Sequence, residues 1–270
     1  MSYKMIALDL DGTLTNSKKE ISEHTKQTLI DIQKEGKIVV LATGRPIQGA
    51  VNIAKQLELD VYGGYILSFN GGVIKNCKTD VIVFQAELPV DLIPRLGEAS
   101  RRYQVPILTY KGDAIITEDT TDKYVRLEAA INKMPVEELH DFAKEVTFPV
   151  TKCLMVAEGW ILEGILPQMQ KEFGDVLNIF RSEPYFMELT PPGVDKAKSL
   201  ERLLKLTGVE REELIACGDG FNDVSMIQYA GLGVAMANAQ DAVKAVADEV
   251  TLSNDEDGVA LIVEKYMKNK

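Results

Sequence analysis

Histidine is nearly absent from this chain of 270 residues: only His24 and His140 are present. That is too few for a multi-histidine metal site and leaves little scope for a histidine general base, so acid and base work falls to carboxylates. Cysteine is also scarce. Cys77, Cys153 and Cys217 form an odd, scattered set, which builds no disulfide framework and points to a reducing, cytoplasmic setting with the thiols filling core space. Long apolar runs are missing. Met5-Ile6-Ala7-Leu8 is broken by Asp9 and Asp11, too soon for a signal segment or a membrane span. Positive charge is in deficit, with 30 Lys and Arg against 41 Asp and Glu, a net charge of −11 and a pI near 4.8. Nucleic acid and anionic lipid are therefore not expected partners. A small anionic substrate remains open, because a metal ion and a few cations reverse the field within a cleft. There is no G-x-x-x-x-G-K-[ST] loop, and Gly231-Leu232-Gly233 lacks the third glycine of a dinucleotide fingerprint. Repeats, low-complexity tracts and heptads are absent as well.

What is present is an ordinary globular composition, 46% hydrophobic and 26% charged, long enough for a large core and a smaller second domain. Apolar strands alternate with helical patterns at both ends of the chain. Met5–Leu8, a helix over Ser22–Glu35, Lys37–Leu41 and a helix over Pro46–Leu57 open it. A helix over Lys196–Leu206, strand Leu214–Cys217, a helix near Asn222–Tyr229, strand Gly233–Met236 and helices near Ala239–Ala247 and Gly258–Lys268 close it. The rhythm predicts βαβ units, and the nearly continuous apolar strands predict a parallel sheet covered on both faces. Between them the character changes. Alternating strands at Val105–Tyr110, Ala114–Thr117, Thr151–Ala157 and Leu177–Arg181, with helices near Asp91–Tyr103, Val136–Lys144 and Leu162–Phe173, predict an inserted α+β domain. The expected division is a core of residues 1–84 and 188–270 and an insert of 85–187, with Pro191-Pro192-Gly193 marking the return.

Four segments carry chemistry. Asp9-Leu10-Asp11-Gly12-Thr13 follows the first strand directly, where catalytic groups gather in open α/β sheets. Asp9 suits a nucleophile that forms an aspartyl phosphate, and Asp11 a general acid and then base. Gly12 permits a sharp turn that Thr13 could hold. Gly218-Asp219-Gly220-Phe221-Asn222-Asp223 follows another apolar strand and adds oxygen donors. Asp9, the Leu10–Asp11 region and Asp219 make a set suited to Mg2+. Carboxylates ~4 Å apart repel by roughly 4 kcal/mol at an effective dielectric near 20, so they and a phosphate converge only around a cation. Thr43-Gly44-Arg45-Pro46 ends the second strand, where the Thr43 hydroxyl and Gly44 amide could cradle a phosphate, with Pro46 in the first helical turn. Lys196 opens the helix after the insert and could neutralise the nucleophile and phosphoryl oxygens.

In this order the segments resemble the four motifs of the haloacid dehalogenase (HAD) superfamily of phosphatases. Asn70-Gly71-Gly72, the stretch Gly231–Ala239 and the long insert make the chain similar to its Cof-type sugar-phosphatase group, across essentially the whole length. The resemblance implies a Rossmann-like core with an inserted α+β cap that sets specificity. It implies Mg2+ held by Asp9, the backbone and side chain of the Leu10–Asp11 region, and Asp219, with Asp223 behind them as a support. It also implies phosphate contacts from Leu10, Thr43, Gly44, Lys196 and Asn222, with Arg45 and Asn70 supporting. Ala197 stands where the family often has glycine. The expected activity is Mg2+-dependent hydrolysis of phosphate monoesters of small metabolites, sugar phosphates above all, through Asp9. A phosphohexomutase using the same nucleophile and a non-catalytic phospho-accepting protein are the rival readings. Oligomeric state and the physiological substrate are left open.

Overall fold

The computed structural model describes residues 3–268. Its strands, in chain order, are β1 (Met5–Leu8), β2 (Ile38–Ala42), β3 (Tyr65–Ser68), β4 (Val73–Asn76) and β5 (Val81–Gln85), then β6 (Ile107–Lys111), β7 (Ala114–Thr117), β8 (Val136–Glu138), β9 (Cys153–Val156), β10 (Asn178–Glu183) and β11 (Phe186–Thr190), and finally β12 (Leu214–Gly218), β13 (Leu232–Ala235) and β14 (Glu249–Val250). The chain divides into two compact units, Met1–Phe84 with Asp195–Lys270, and Gln85–Val194. No helix among the described residues is long and apolar enough to cross a membrane.

The first unit is built on a sheet ordered β14-β13-β12-β1-β2-β3-β4-β5. From β14 to β3 every pairing is parallel, and β4 then runs antiparallel to β3. β1 and β12 are buried at every position, so both faces of the sheet centre are covered, which is why these strands read as unbroken apolar runs. Each fully buried Leu or Ile there contributes roughly 1.5–3 kcal/mol. Parallel pairing has a functional consequence. Ala7 lies level with Ala216 and Val40, so the carboxyl ends of β1, β2 and β12 emerge side by side. Helix Lys196–Thr207 is started by Asp195, whose side chain accepts the Lys198 N–H, and stopped by left-handed Gly208.

The second unit is a six-stranded sheet ordered β10-β11-β9-β6-β7-β8, antiparallel except for the β7–β8 pair. Alternation along β9 sends Cys153 and Met155 into one core with helices Leu92–Tyr103 and Gly159–Phe173. It sends Leu154 and Val156 into another with helix Lys123–Asn132.

The structure departs from the sequence expectation in several places. Val136–Lys144 is not a helix. Val136 pairs with Ile115 in β8, and only Phe142–Glu145 is helical, a single turn capped by Asp141. Helix Lys123–Asn132, capped by Asp122, was not anticipated. The helix expected over Ala239–Ala247 shortens to Asp241–Lys244. Pro46 lies at the N-cap rather than within the helix, which begins at Ile47. The second unit ends at Val194, not at residue 187, because β11 pairs with both β10 and β9 and a boundary at 187 would cut it.

All three cysteines are free, with Cys153 and Cys217 buried and Cys77 half-buried. Burial pushes the Cys77 and Cys153 thiols up to about 12, which makes them packing groups rather than nucleophiles.

Candidate active site

β1 delivers Asp9 from four buried apolar residues, and the Asp9 N–H donates to Cys217 O of the neighbouring β12 at 3.1 Å. The chain then turns tightly. Leu14 N–H donates to Asp9 O at 3.2 Å, and Thr15 N–H and Oγ1 both donate to Leu10 O at 2.9 and 2.8 Å. Gly12 sits at φ +85°, and a Cβ there would lie 2.4 Å from Asp219 Oδ2. Only glycine allows both the backbone conformation and this approach. Thr13 does not brace its own turn as expected; its hydroxyl donates to Asp219 Oδ1 at 2.7 Å.

Oxygens of Asp9, Asp219 and Asp223 all lie within 4.8 Å of one another. Asp223 is fully buried, and its Oδ2 accepts the N–H groups of Asp219 and Gly220, each at 2.9 Å. Its Oδ1 accepts from Lys196 Nζ at 2.5 Å, and the same ammonium reaches Asp9 Oδ1 at 2.6 Å. Lys196 is completely buried.

Three carboxylates against one ammonium leave an excess of negative charge. Burial, then the Asp223 charge, raise the Asp9 carboxyl to about 8, with Lys196 pulling the other way. Burial also raises Asp219, opposed by the Thr13 hydrogen bond. For Lys196 burial works against the charge, but Asp223 and Asp9 outweigh it and hold the ammonium firmly protonated. A cluster of hard carboxylate oxygens with unbalanced charge fits magnesium.

The Asp11 side chain does not join this cluster. Arg45 grips it with Nε on Oδ2 at 2.7 Å and Nη2 on Oδ1 at 2.6 Å, and Lys19 Nζ adds 2.7 Å to Oδ1. Among side-chain oxygens of the described residues the converging set is Asp9, Asp219 and Asp223. Both Asp223 oxygens are already taken, by Lys196 and by the Asp219 and Gly220 N–H groups, which suits the supporting place expected of Asp223. Of the Leu10–Asp11 region only the backbone remains as an expected contributor. The guanidinium fork holds both Asp11 oxygens and keeps that carboxylate out of the three-aspartate cluster.

A family profile for haloacid dehalogenase-like hydrolases matches residues 6–263. The chain belongs to the haloacid dehalogenase-like hydrolases. It is 32% identical over 271 residues to a 5-amino-6-(5-phospho-D-ribitylamino)uracil phosphatase of Bacillus subtilis, covering 97% of each chain. It is 30% identical over 293 residues to the phosphatase YwpJ of the same organism, covering 95% of this chain and 97% of the relative. Among solved structures, a haloacid dehalogenase-like hydrolase from Bacteroides thetaiotaomicron superposes with a TM-score of 0.94 at 50% identity, covering 98% of this chain and 99% of the other. The enzyme class is that of the phosphatases.

Within this hydrolase fold the remaining expected residues take distinct places. Thr43 is buried, and its Oγ1 accepts the Arg45 N–H at 3.1 Å, which leaves the hydroxyl hydrogen free to donate. The Leu10 side chain is fully buried in the core, so any phosphate contact falls to its backbone. Asn222 Nδ2 donates to Asn70 Oδ1 at 3.1 Å. Phe69 and Asn70 are both left-handed, φ 52° and 54°, at a cost of about 1–2 kcal/mol for Phe69 and less for the asparagine. Two residues escaped the sequence reading. Lys19, whose Nζ reaches Asp11, was given no role, and Asn238, whose Nδ2 donates to Gly12 O at 2.8 Å, lay inside the Gly231–Ala239 stretch without an assigned role.

Proposed function

We propose that this hydrolase cleaves phosphate monoesters of small metabolites, sugar and polyol phosphates in particular, by Mg2+-dependent phosphoryl transfer through an aspartyl phosphate on Asp9. The observation that carries the proposal is the buried Asp9–Lys196–Asp223 arrangement beside Asp219. It fixes one carboxylate oxygen by an ammonium and surrounds the other with groups suited to a divalent cation. Asp9, Asp219 and the backbone of the Leu10–Asp11 region, with Asp223 behind them, would hold a magnesium ion, which would supply the positive charge that lets an anionic phosphate approach the carboxylates.

The residues divide the work. Asp9 attacks phosphorus as the ester P–O bond breaks, and Asp11 delivers a proton to the departing alkoxide. A water then attacks the phosphoryl group, Asp11 takes its proton, and orthophosphate leaves Asp9 free. The Arg45–Lys19 clamp keeps Asp11 ionised, the form the second half needs. An arriving phosphate dianion disfavours that charge and promotes the protonated form the first half needs. Lys196 stays charged throughout, and Thr43, Gly44 and Asn222 supply neutral donors. The substrate named for the 32% identical Bacillus subtilis relative is a phosphate ester of a ribityl chain, which supports a polyol phosphate here. We assign choice of leaving group to the Gln85–Val194 unit, since the residues that handle the phosphoryl group all lie in the other unit. The free, buried thiols support a cytoplasmic setting.

The test is release of orthophosphate from an aryl phosphate and a panel of sugar and polyol phosphates, with and without magnesium, for wild type and Asp9→Asn. Turnover that requires magnesium and vanishes in the variant is expected. An active Asp9→Asn enzyme would reject the nucleophile.

A further inference from the structure

The turn after β3 sits where three parts of the site meet. Phe69, Asn70 and Gly71 are consecutive left-handed residues, φ 52°, 54° and 93°, and only the glycine adopts that region without strain. The turn is held in this form from several sides. Phe69 N–H donates to Arg45 O at 3.0 Å and Asn70 N–H to Thr43 O at 2.9 Å. The Ser199 hydroxyl, in the first turn of the helix that begins at Lys196, donates to Gly71 O. Asn70 Oδ1 accepts from Asn222 Nδ2 at 3.1 Å. One strained turn thus touches the Thr43–Arg45 loop, the Lys196 helix and the Gly218–Asp223 segment.

The Asn70 side chain also lies over Gly44. A Cβ on Gly44 would fall 3.3 Å from Asn70 Oδ1 and 3.4 Å from its Nδ2. With Oδ1 engaged by Asn222, the group that Asn70 has left to offer is its amide N–H pair, next to the backbone of the loop proposed to cradle phosphate. Asparagine is among the few residues that tolerate the left-handed region. Its amide is a neutral donor that adds no charge to the carboxylate cluster.

We infer that Asn70 is a further phosphate-binding residue. Its Nδ2 donates to a non-bridging oxygen of the phosphate beside the Gly44 and Asn222 amides, and the left-handed turn holds it there. The inference rests on the phosphatase reading above and adds a residue to that same site.

Asn70→Gly separates side chain from backbone, because glycine keeps the turn without strain. Calorimetric titration with orthophosphate in the presence of magnesium, which needs no turnover, is run on wild type, Asn70→Gly, Asn222→Ala and the double variant. Asn70→Gly should bind orthophosphate about tenfold more weakly, melt no lower than wild type, and show a raised KM for an aryl phosphate. The double variant should bind more weakly than either single one. Wild-type affinity in Asn70→Gly overturns the inference, and so does a wild type that binds no orthophosphate. A double variant no weaker than Asn222→Ala alone also overturns it, since Asn70 then acts only by holding Asn222. Failure of the phosphatase reading looks different: wild type releases no phosphate from any ester while the orthophosphate titration still responds to Asn70.

Discussion

The guanidinium of Arg45 holds both oxygens of the Asp11 carboxylate, at 2.7 and 2.6 Å, and Lys19 adds a third contact. Burial alone would raise the Asp11 carboxyl, but these hydrogen bonds carry it below its ordinary value. In the proposed mechanism Asp11 is ionised when it accepts the proton of the attacking water, so a lowered pKa should extend activity toward acid. Arg45→Met removes the larger share of that effect, so the acid limb of the kcat profile should move to higher pH, with kcat down by about 10–100-fold. Asp11→Asn should lose about 10²–10⁴-fold in steady turnover of alkyl and aryl phosphates alike, because water attack needs the base in both, whereas the first release of an aryl leaving group, which needs no proton, should be slowed far less. An unmoved acid limb in Arg45→Met would mean that another group sets it.

Asp9 makes the cation-free protein sensitive to alkali. Its folded pKa, about 8, lies above the ordinary 3.8, so between those values the folded state binds a proton that the unfolded chain releases. The stability this contributes is fully present below about pH 4 and is lost as pH rises through about 8. Asp9→Asn removes the ionisation. At pH 8 without divalent cation it should melt roughly 5 °C or more above wild type. Magnesium should narrow or reverse the gap by stabilising wild type alone. Melting curves across pH 5–9 with chelator and with magnesium check both signs.

The Gln85–Val194 unit carries its own buried ion pair. Lys152 Nζ lies 3.2 and 3.1 Å from the two oxygens of Glu188, with side chains only 4% and 9% exposed, and Ser182 Oγ donates to the same carboxylate. Lys152→Met strands the Glu188 charge and should destabilise this unit by about 3–5 kcal/mol, whereas Lys152→Met with Glu188→Leu should recover most of that loss. Denaturant unfolding of the three proteins distinguishes a stranded charge from simple loss of packing, which the double variant would not repair.

The convergence of the first unit's candidate segments was legible because apolar strands stop abruptly at Asp9, Thr43 and Gly218, and parallel pairing brings such ends together. Asp223 and Lys196 could be read as site residues, but not their salt bridge, since residues 27 apart in sequence reveal no distance. The Asp11 clamp was hidden for a different reason. Lys19 reaches it from a loop position at φ 62°, and nothing in a run of polar residues announces that conformation. β8 was misread because Val136, Leu139 and Ala143 mimic a helical spacing. What decides the matter is pairing with Ile115, a non-local contact that propensity does not see.

Gly12 offers the sharpest test of how closely the two carboxylate segments are fitted. Its φ of +85° is strained for any side chain, and a methyl group there would sit 2.4 Å from Asp219 Oδ2 and 2.8 Å from its carboxyl carbon. Asp219 cannot simply step aside, because its Oδ1 is held by Thr13 at 2.7 Å and its N–H by Asp223 at 2.9 Å. Gly12→Ala should therefore cost about 1–2 kcal/mol of backbone strain and displace an Asp219 oxygen proposed to face the cation. Magnesium affinity should fall by about 10–100-fold, the loss usual when the support of a ligand is disturbed. Thr13→Val keeps the backbone and removes only the hydroxyl, so it should lower magnesium affinity with less effect on melting. Equal affinities in Gly12→Ala and wild type, measured by magnesium titration of the melting temperature, would show that Asp219 is not where the cation binds.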